Sequence, residues 1–97
     1  MLTVSYNRTA KKELFESSHY YSTQKSGLGE RFLNDVESCI QEIAVSPKRH
    51  PRYFEDVHRC VMTRFPFGIY YRVEAEKIRI LAIAHSSRHP DYWKYRK

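Results

Sequence analysis

Glycine and proline are scarce in this chain of 97 residues, with three and four copies respectively. A composition so poor in both is neither collagen-like nor a low-complexity linker. Cysteine is scarcer still: Cys39 and Cys60 stand alone, without CxxC spacing. That argues against a disulfide scaffold and a zinc site, and leaves two buried free thiols in a reducing compartment as the expectation. Apolar runs are short, such as Ile80 to Ala84, far below the ~20 residues of a membrane span. The opening MLTVSYNRTAKK lacks the basic-then-apolar order of a signal peptide, so a cytoplasmic protein with no membrane partner is expected. Asp and Glu show no paired-acid or metal-ligand spacing, and no glycine-rich phosphate loop is present. Metal, nucleotide and covalent-cofactor chemistry are therefore disfavoured, and no cofactor or metal is expected.

What the chain does have is periodicity, aromatic bulk and positive charge. Hydrophobic residues make up 41%, and eight Tyr, five Phe and Trp93 supply large side chains for burial. Residues 1–97 are expected to form one domain, because a second would leave each half too little core. The net charge of +6 favours an anionic partner, either nucleic acid or an acidic protein segment.

Leu2, Val4 and Tyr6 alternate with Thr3 and Ser5, which predicts a short strand. Thr9 offers an N-cap hydroxyl, and Ala10, Leu14, Ser18 and Tyr21 recur near helical spacing. Ser26-Gly27 should stop that helix, with Gly27 left-handed. A second helix carries Phe32, Val36, Ile40 and Ile43 on one stripe, widened by Leu33 and Cys39, and ends at Ser46-Pro47. The short link predicts an antiparallel helical hairpin. Lys48 to Asp56 is polar, basic and proline-punctuated, and reads as a loop. Three strands follow, Val57 to Phe65, Phe67 to Glu74 and Lys77 to His85, the last two joined tightly at Ala75-Glu76. Strict alternation places Ile69, Tyr71 and Val73 opposite Ala82, Ile80 and Ile78. The other face then carries Tyr70, Arg72, Arg79 and His85, with Leu81 and Ile83 between them. The expectation is an α+β fold, β-α-α-β-β-β, with the helical hairpin on one face of an antiparallel sheet.

Two stretches could carry chemistry. In AHSSRHPDYW, His85, Arg88, His89, Tyr92 and Trp93 crowd the end of the last strand. Histidine moves protons near neutral pH, arginine grips a phosphate bidentately and tyrosine lends a hydroxyl. These are the ingredients of metal-free RNA cleavage. Equally, Tyr92 and Trp93 could pack the tail against the sheet while His85 and Arg88 stay solvated. In KRHPRYFEDVHRCVMTRF, Arg49, Arg52, Arg59 and Arg64 are interleaved with Tyr53 and Phe54, a pattern suited to phosphate contacts with base stacking or to a solvated loop. Alternation puts Arg59 with Val61 and Thr63, and Arg64 with His58, Cys60 and Met62.

The stretch RFPFGIYYRVEAEKIRILAIAHSSRHPDYW resembles the C-terminal half of RelE/ParE-superfamily toxins from bacterial type II toxin–antitoxin modules. The order Tyr20-Tyr21, GLGERFLNDV and SPKRHP fits the first half. The resemblance implies a toxin neutralised by a small acidic antitoxin. It offers two mechanisms: RelE-like cleavage of mRNA in the ribosome, or ParE-like poisoning of DNA gyrase. By position Arg59 and Arg88 match basic residues of the nuclease set, and Tyr92 or Trp93 its C-terminal aromatic. His85 could then serve as acid or base. Val61 and Gly68 stand where the nucleases carry further cations, which favours the ParE-like branch. A non-toxic basic nucleic-acid-binding module is the reading from a different class, with Arg49, Arg52, Arg59, Arg64, Arg88 and Trp93 as the contact set shared with target binding.

Overall fold

The computed structural model describes residues 2–97. Strand β1 (Thr3–Tyr6) leads into helices α1 (Arg8–Gln24) and α2 (Leu28–Val45), followed by β2 (Arg52–Phe54), β3 (Val57–Val61), β4 (Phe67–Glu74) and β5 (Lys77–His85). A short 3-10 turn at Pro90–Tyr92 closes the chain. The five strands form one sheet in the order β1-β5-β4-β3-β2.

Both helices begin and end for local reasons. The Asn7 side chain accepts from the backbone N–H groups of Thr9 (2.9 Å) and Ala10 (3.2 Å), capping α1. Asn7 therefore takes the role expected of Thr9, which lies inside the first turn. Gly27 adopts φ +81 in the link, where a side chain would be strained, and it is also the N-cap of α2. Ser18 and Gly29 hold the hairpin together, the Ser18 hydroxyl donating to the Gly29 carbonyl at 3.2 Å. The buried stripe of α2 is Phe32, Val36, Ile40 and Ile43, as its spacing predicts.

The sheet departs from expectation in four ways. It is mixed: β1 pairs with β5 in parallel, Val4 opposite Ile78 and Tyr6 opposite Ile80. With two helices and three strands between them, β1 is free to join β5 in the parallel sense that a hairpin would forbid. Part of the expected loop is strand, since Arg52–Phe54 pairs antiparallel with β3 through a turn in which Glu55 takes φ +50. β3 ends at Val61 rather than Phe65; the chain then bends, and Phe65 turns into the core.

The fourth departure matters most for the site. Val73 faces Ile78 and Tyr71 faces Ile80, but the register then slips, so that Tyr70 faces Ala82 and Ile69 faces Ile83. Leu81 is the extra residue of a bulge, and everything after it changes face. Ile83, expected on the open side, joins Phe32, Ile69 and Tyr71 in the core under the helices. Ala82 and Ala84, expected under the helices, instead join Val57, Tyr70, Leu81 and Trp93 in a second cluster on the opposite face. His85 is carried over with Ile83 to the helix side, where its ring meets Phe67 edge-on at 5.3 Å.

Glu13 and Arg96 account for the bulge. β1 reaches only as far as Ile80, so among the described residues the outer edge of β5 beyond it has no strand partner. There the Ile83 N–H donates to Glu13 (3.2 Å), and the Leu81 carbonyl accepts from Arg96 (3.2 Å). Glu13 and Arg96 themselves make a two-pronged pair at 2.8 and 3.2 Å, both side chains mostly buried. Helix α1 and the C-terminal tail thus satisfy the edge groups that would otherwise be orphaned. Among the described residues, no helix is long and apolar enough to cross a membrane.

Candidate functional site

Of the polar residues singled out in the sequence, Arg59, His85, Arg88 and Tyr92 fall into two neighbouring concavities on opposite sides of the sheet, with Arg88 at the rim of both. On the open face lies a groove of about 230 Å³ floored by Gly68 and Tyr70 and flanked by Tyr53, Arg59, Val61 and Arg88. β3 aims Arg59 there because Arg59 is the cross-strand partner of Tyr70. Its guanidinium lies over the Tyr53 ring, 4.6 Å from the centroid. Gly68 fits closely under the Tyr70 ring, since a Cβ at that position would stand 3.1 Å from it and the ring would have to give by a few tenths of an ångström. Trp93 is not a surface contact. It is 1% exposed and packs on Tyr70 at a centroid distance of 4.2 Å, so it anchors the tail beneath the groove. Burial, the largest influence, pushes the Tyr70 hydroxyl above its ordinary pKa.

The second concavity, about 480 Å³, opens on the helix side between α1, the end of β5 and the tail. His85, Tyr92, Glu13, Tyr20, Tyr21 and Arg88 line it. His85 Nδ1 accepts from the Ser87 backbone N–H at 3.0 Å, and the Ser87 hydroxyl lies 2.8 Å from the same nitrogen. A backbone N–H can only donate, so in this arrangement the ring offers Nε2–H outward as a donor. Tyr92 lies between two guanidiniums, Arg88 at 4.1 Å and Arg96 at 5.2 Å from its ring centroid. Burial first, and the nearby Glu13 carboxylate second, push the Tyr92 hydroxyl up to about 12, so it is protonated at neutral pH and suited to donating rather than accepting a proton.

The structure brings together Arg59 with Arg88, and His85 with Arg88 and Tyr92, but it does not bring Arg59 to His85. Arg49 and Arg52 lie apart, around the loop before β3: Arg49 is 3.4 Å from Glu42 of α2, and Arg52 is exposed on the edge strand. Arg64 is exposed beyond the end of β3, on the rim of a different cavity. His89 is exposed and 3.4 Å from Asp91. Sequence reasoning missed Glu13 and Arg96. The signal for Glu13 was its place beside the Ala10–Leu14 stripe, but nothing local points to a partner 83 residues away.

The model of the ParE toxin of the type II toxin–antitoxin system parDE matches residues 4–90. This chain belongs to the ParE toxin family. A search of the curated proteins finds no match. Among solved structures it is similar to a chain of the chromosomal ParDE system from P. aeruginosa, at 22% identity and TM-score 0.65 over 88% of this chain and 96% of that one. At that identity the likeness speaks for the fold, which the two chains share. The chain is therefore a toxin of a type II toxin–antitoxin module, on the ParE side of the superfamily, and its family implies an antitoxin partner.

Proposed function

We propose that this ParE-family toxin acts in the cytoplasm, as a single domain, by poisoning DNA gyrase rather than by cutting mRNA. The observation that carries the reading is the separation of Arg59 from His85 by the thickness of the sheet, a consequence of the bulge at Leu81. Metal-free RNA cleavage needs a proton-moving group and cations converging on one phosphate. Here Arg59 faces away from His85, and of the cations in the open-face groove it is Arg88 that also reaches the His85 side. Their groove offers Val61 and Gly68 where the nucleases place further charge, and Gly68 sits close under the Tyr70 ring. Arg59 and Arg88 then serve as contacts to the target or to the antitoxin. The +6 charge suits an antitoxin segment rich in Asp and Glu.

The test begins with expression alone, which should arrest growth, and co-expression of the neighbouring small gene, which should restore it. Purified toxin should inhibit gyrase supercoiling and leave mRNA on programmed ribosomes intact. Arg88→Ala should weaken gyrase inhibition by roughly tenfold or more, about 1.4 kcal/mol of lost contact. His85→Gln should remain toxic. Codon-specific mRNA cuts that disappear in His85→Gln would overturn the gyrase reading in favour of the nuclease. Growth unaffected by soluble, folded toxin, together with nucleic-acid binding that weakens steeply with salt, would favour the non-toxic binding module.

A further inference from the structure

Cys39 of α2 and Cys60 of β3 come from elements that share no backbone pairing, yet their side chains meet. Cys60 is 3% exposed within the core beneath the helices, and Cys39 is half-buried and packs against that same core. Each thiol is the largest single influence on the other's pKa, lowering that of Cys39 and raising that of Cys60, as expected of two neighbouring sulfurs. Both border a cavity of about 350 Å³ whose walls include Asp35, Glu42, His50, Met62 and Arg64, so a small molecule can approach the pair. Neither thiol takes part in the sites described above. We propose that Cys39 and Cys60 form an oxidisable dithiol, which a low-molecular-weight disulfide converts into an intramolecular disulfide tying α2 to β3.

The order of events follows from the environments. The neighbouring Cys60 thiol lowers the pKa of Cys39, and Cys39 is the more exposed of the two, so it is the attacking thiolate. The Cys39 sulfur bonds to one sulfur of the small disulfide, whose S–S bond breaks and releases one thiolate. The largest influence holding Cys60 protonated is the neighbouring Cys39 thiol, ahead of burial. That influence ends once Cys39 is capped in the mixed disulfide. Cys60 then loses its proton and displaces the second small thiolate, leaving the Cys39–Cys60 bond. The protein loses two hydrogens, and the small disulfide gains them as two thiols. The bond closes a loop of roughly 20 residues, which restricts the unfolded chain and stabilises the folded one.

The experiment uses the full chain, reduced and then exposed without denaturant to 2-hydroxyethyl disulfide, a neutral probe. The quenched products are read by intact mass and by non-reduced peptide mapping. The expected product is lighter by two hydrogens, contains a Cys39–Cys60 cross-linked peptide and melts at a higher temperature than the reduced protein. Cys60→Ala should accumulate the mixed disulfide on Cys39, whereas Cys39→Ala should react at Cys60 roughly tenfold more slowly or worse. Two thiols that remain alkylatable, adducts on both cysteines without a cross-link, or disulfide-linked dimers as the main product would each overturn the proposal. If Cys60→Ala does not fold, the wild-type mass and peptide map decide the question by themselves.

Discussion

Behind the sheet, the Phe32 ring lies 5.3, 5.1 and 5.0 Å from the ring centroids of Tyr21, Phe65 and Phe67. In front of it, Trp93 of the C-terminal tail rests on Tyr70, with Tyr53 6.0 Å away. The first face is closed by two long helices contributing side chains from every turn. The second is closed by Trp93 on a short segment, with Phe54 and Tyr92 packed beside it, and what remains open is the groove holding Arg59 and Arg88. Stability is therefore concentrated on one side of the sheet and accessible charge on the other. A binding surface can be built on the second side because the first does not depend on it.

The sharpest way to break that contrast is to truncate one aromatic from each face. Phe32→Ala should destabilise the whole fold by about 3–5 kcal/mol, since a fully buried ring is replaced by a cavity. Trp93→Ala removes as large a group, but its loss should be local. Hydrogen exchange should show residues 86–97 deprotected while α2 keeps its protection. If α2 loses protection in step with the tail, the two faces are one cooperative unit and the contrast fails.

Glu13 and Arg96 are the seam between the faces. Glu13→Gln leaves the Arg96 charge mostly buried without its partner, and should destabilise by about 2–3 kcal/mol in chemical denaturation. Arg96→Met, which also removes the charge, should cost less when combined with Glu13→Gln than the two single losses summed. Additive losses would mean the pair does not act as one unit at the bulge.

Alkali should test the seam and the core together. Burial pushes both Tyr71, whose hydroxyl donates to the Pro47 carbonyl at 2.6 Å, and Tyr92 up to about 12. A raised tyrosine pKa means the folded state holds its proton longer than the unfolded state. That contribution is complete below about pH 10 and is lost as pH rises from there through 12. Denaturation midpoints should be flat from pH 8 to 9.5 and then fall. Tyr71→Phe should flatten part of that decline, and an unchanged slope would count against this account.

The smallest effect is expected at the β4–β5 turn, far from both faces. Ala75 adopts φ +47, which an L side chain resists. Ala75→Gly should stabilise by about 0.5–1 kcal/mol, read as a raised midpoint with an unchanged slope.

The sequence made much of this architecture legible. The stripe of α2, the stop at Gly27, the termination at Ser46-Pro47 and the hairpin at Ala75-Glu76 each rest on interactions within a few residues, which is the range local chemistry can report. Alternation also carried Leu2, Val4 and Tyr6, and the strand from Phe67 to Tyr71, onto the correct face. It failed after Leu81 because the period of two is a property of an uninterrupted ladder, and one extra residue reverses every position beyond it. The candidate site inherits that failure. Arg59 and Arg88 were found as types and positions, and they do share a groove. His85 does share a concavity with its sequence neighbours Arg88 and Tyr92, but Arg59, grouped with it as a catalytic candidate, opens on the other side of the sheet.

By itself, then, the sequence determined the helices, the hairpin turns, the cationic character and the family, because each is written in short-range pattern or in composition. Only the tertiary structure decided the parallel seat of β1, the meeting of Cys39 with Cys60, the burial of Trp93 and the side on which His85 stands. Each of these depends on a partner distant in the chain. The bulge shows why: it persists because Glu13 and Arg96, from opposite ends of the chain, satisfy the Ile83 N–H and the Leu81 carbonyl that β1 is too short to reach.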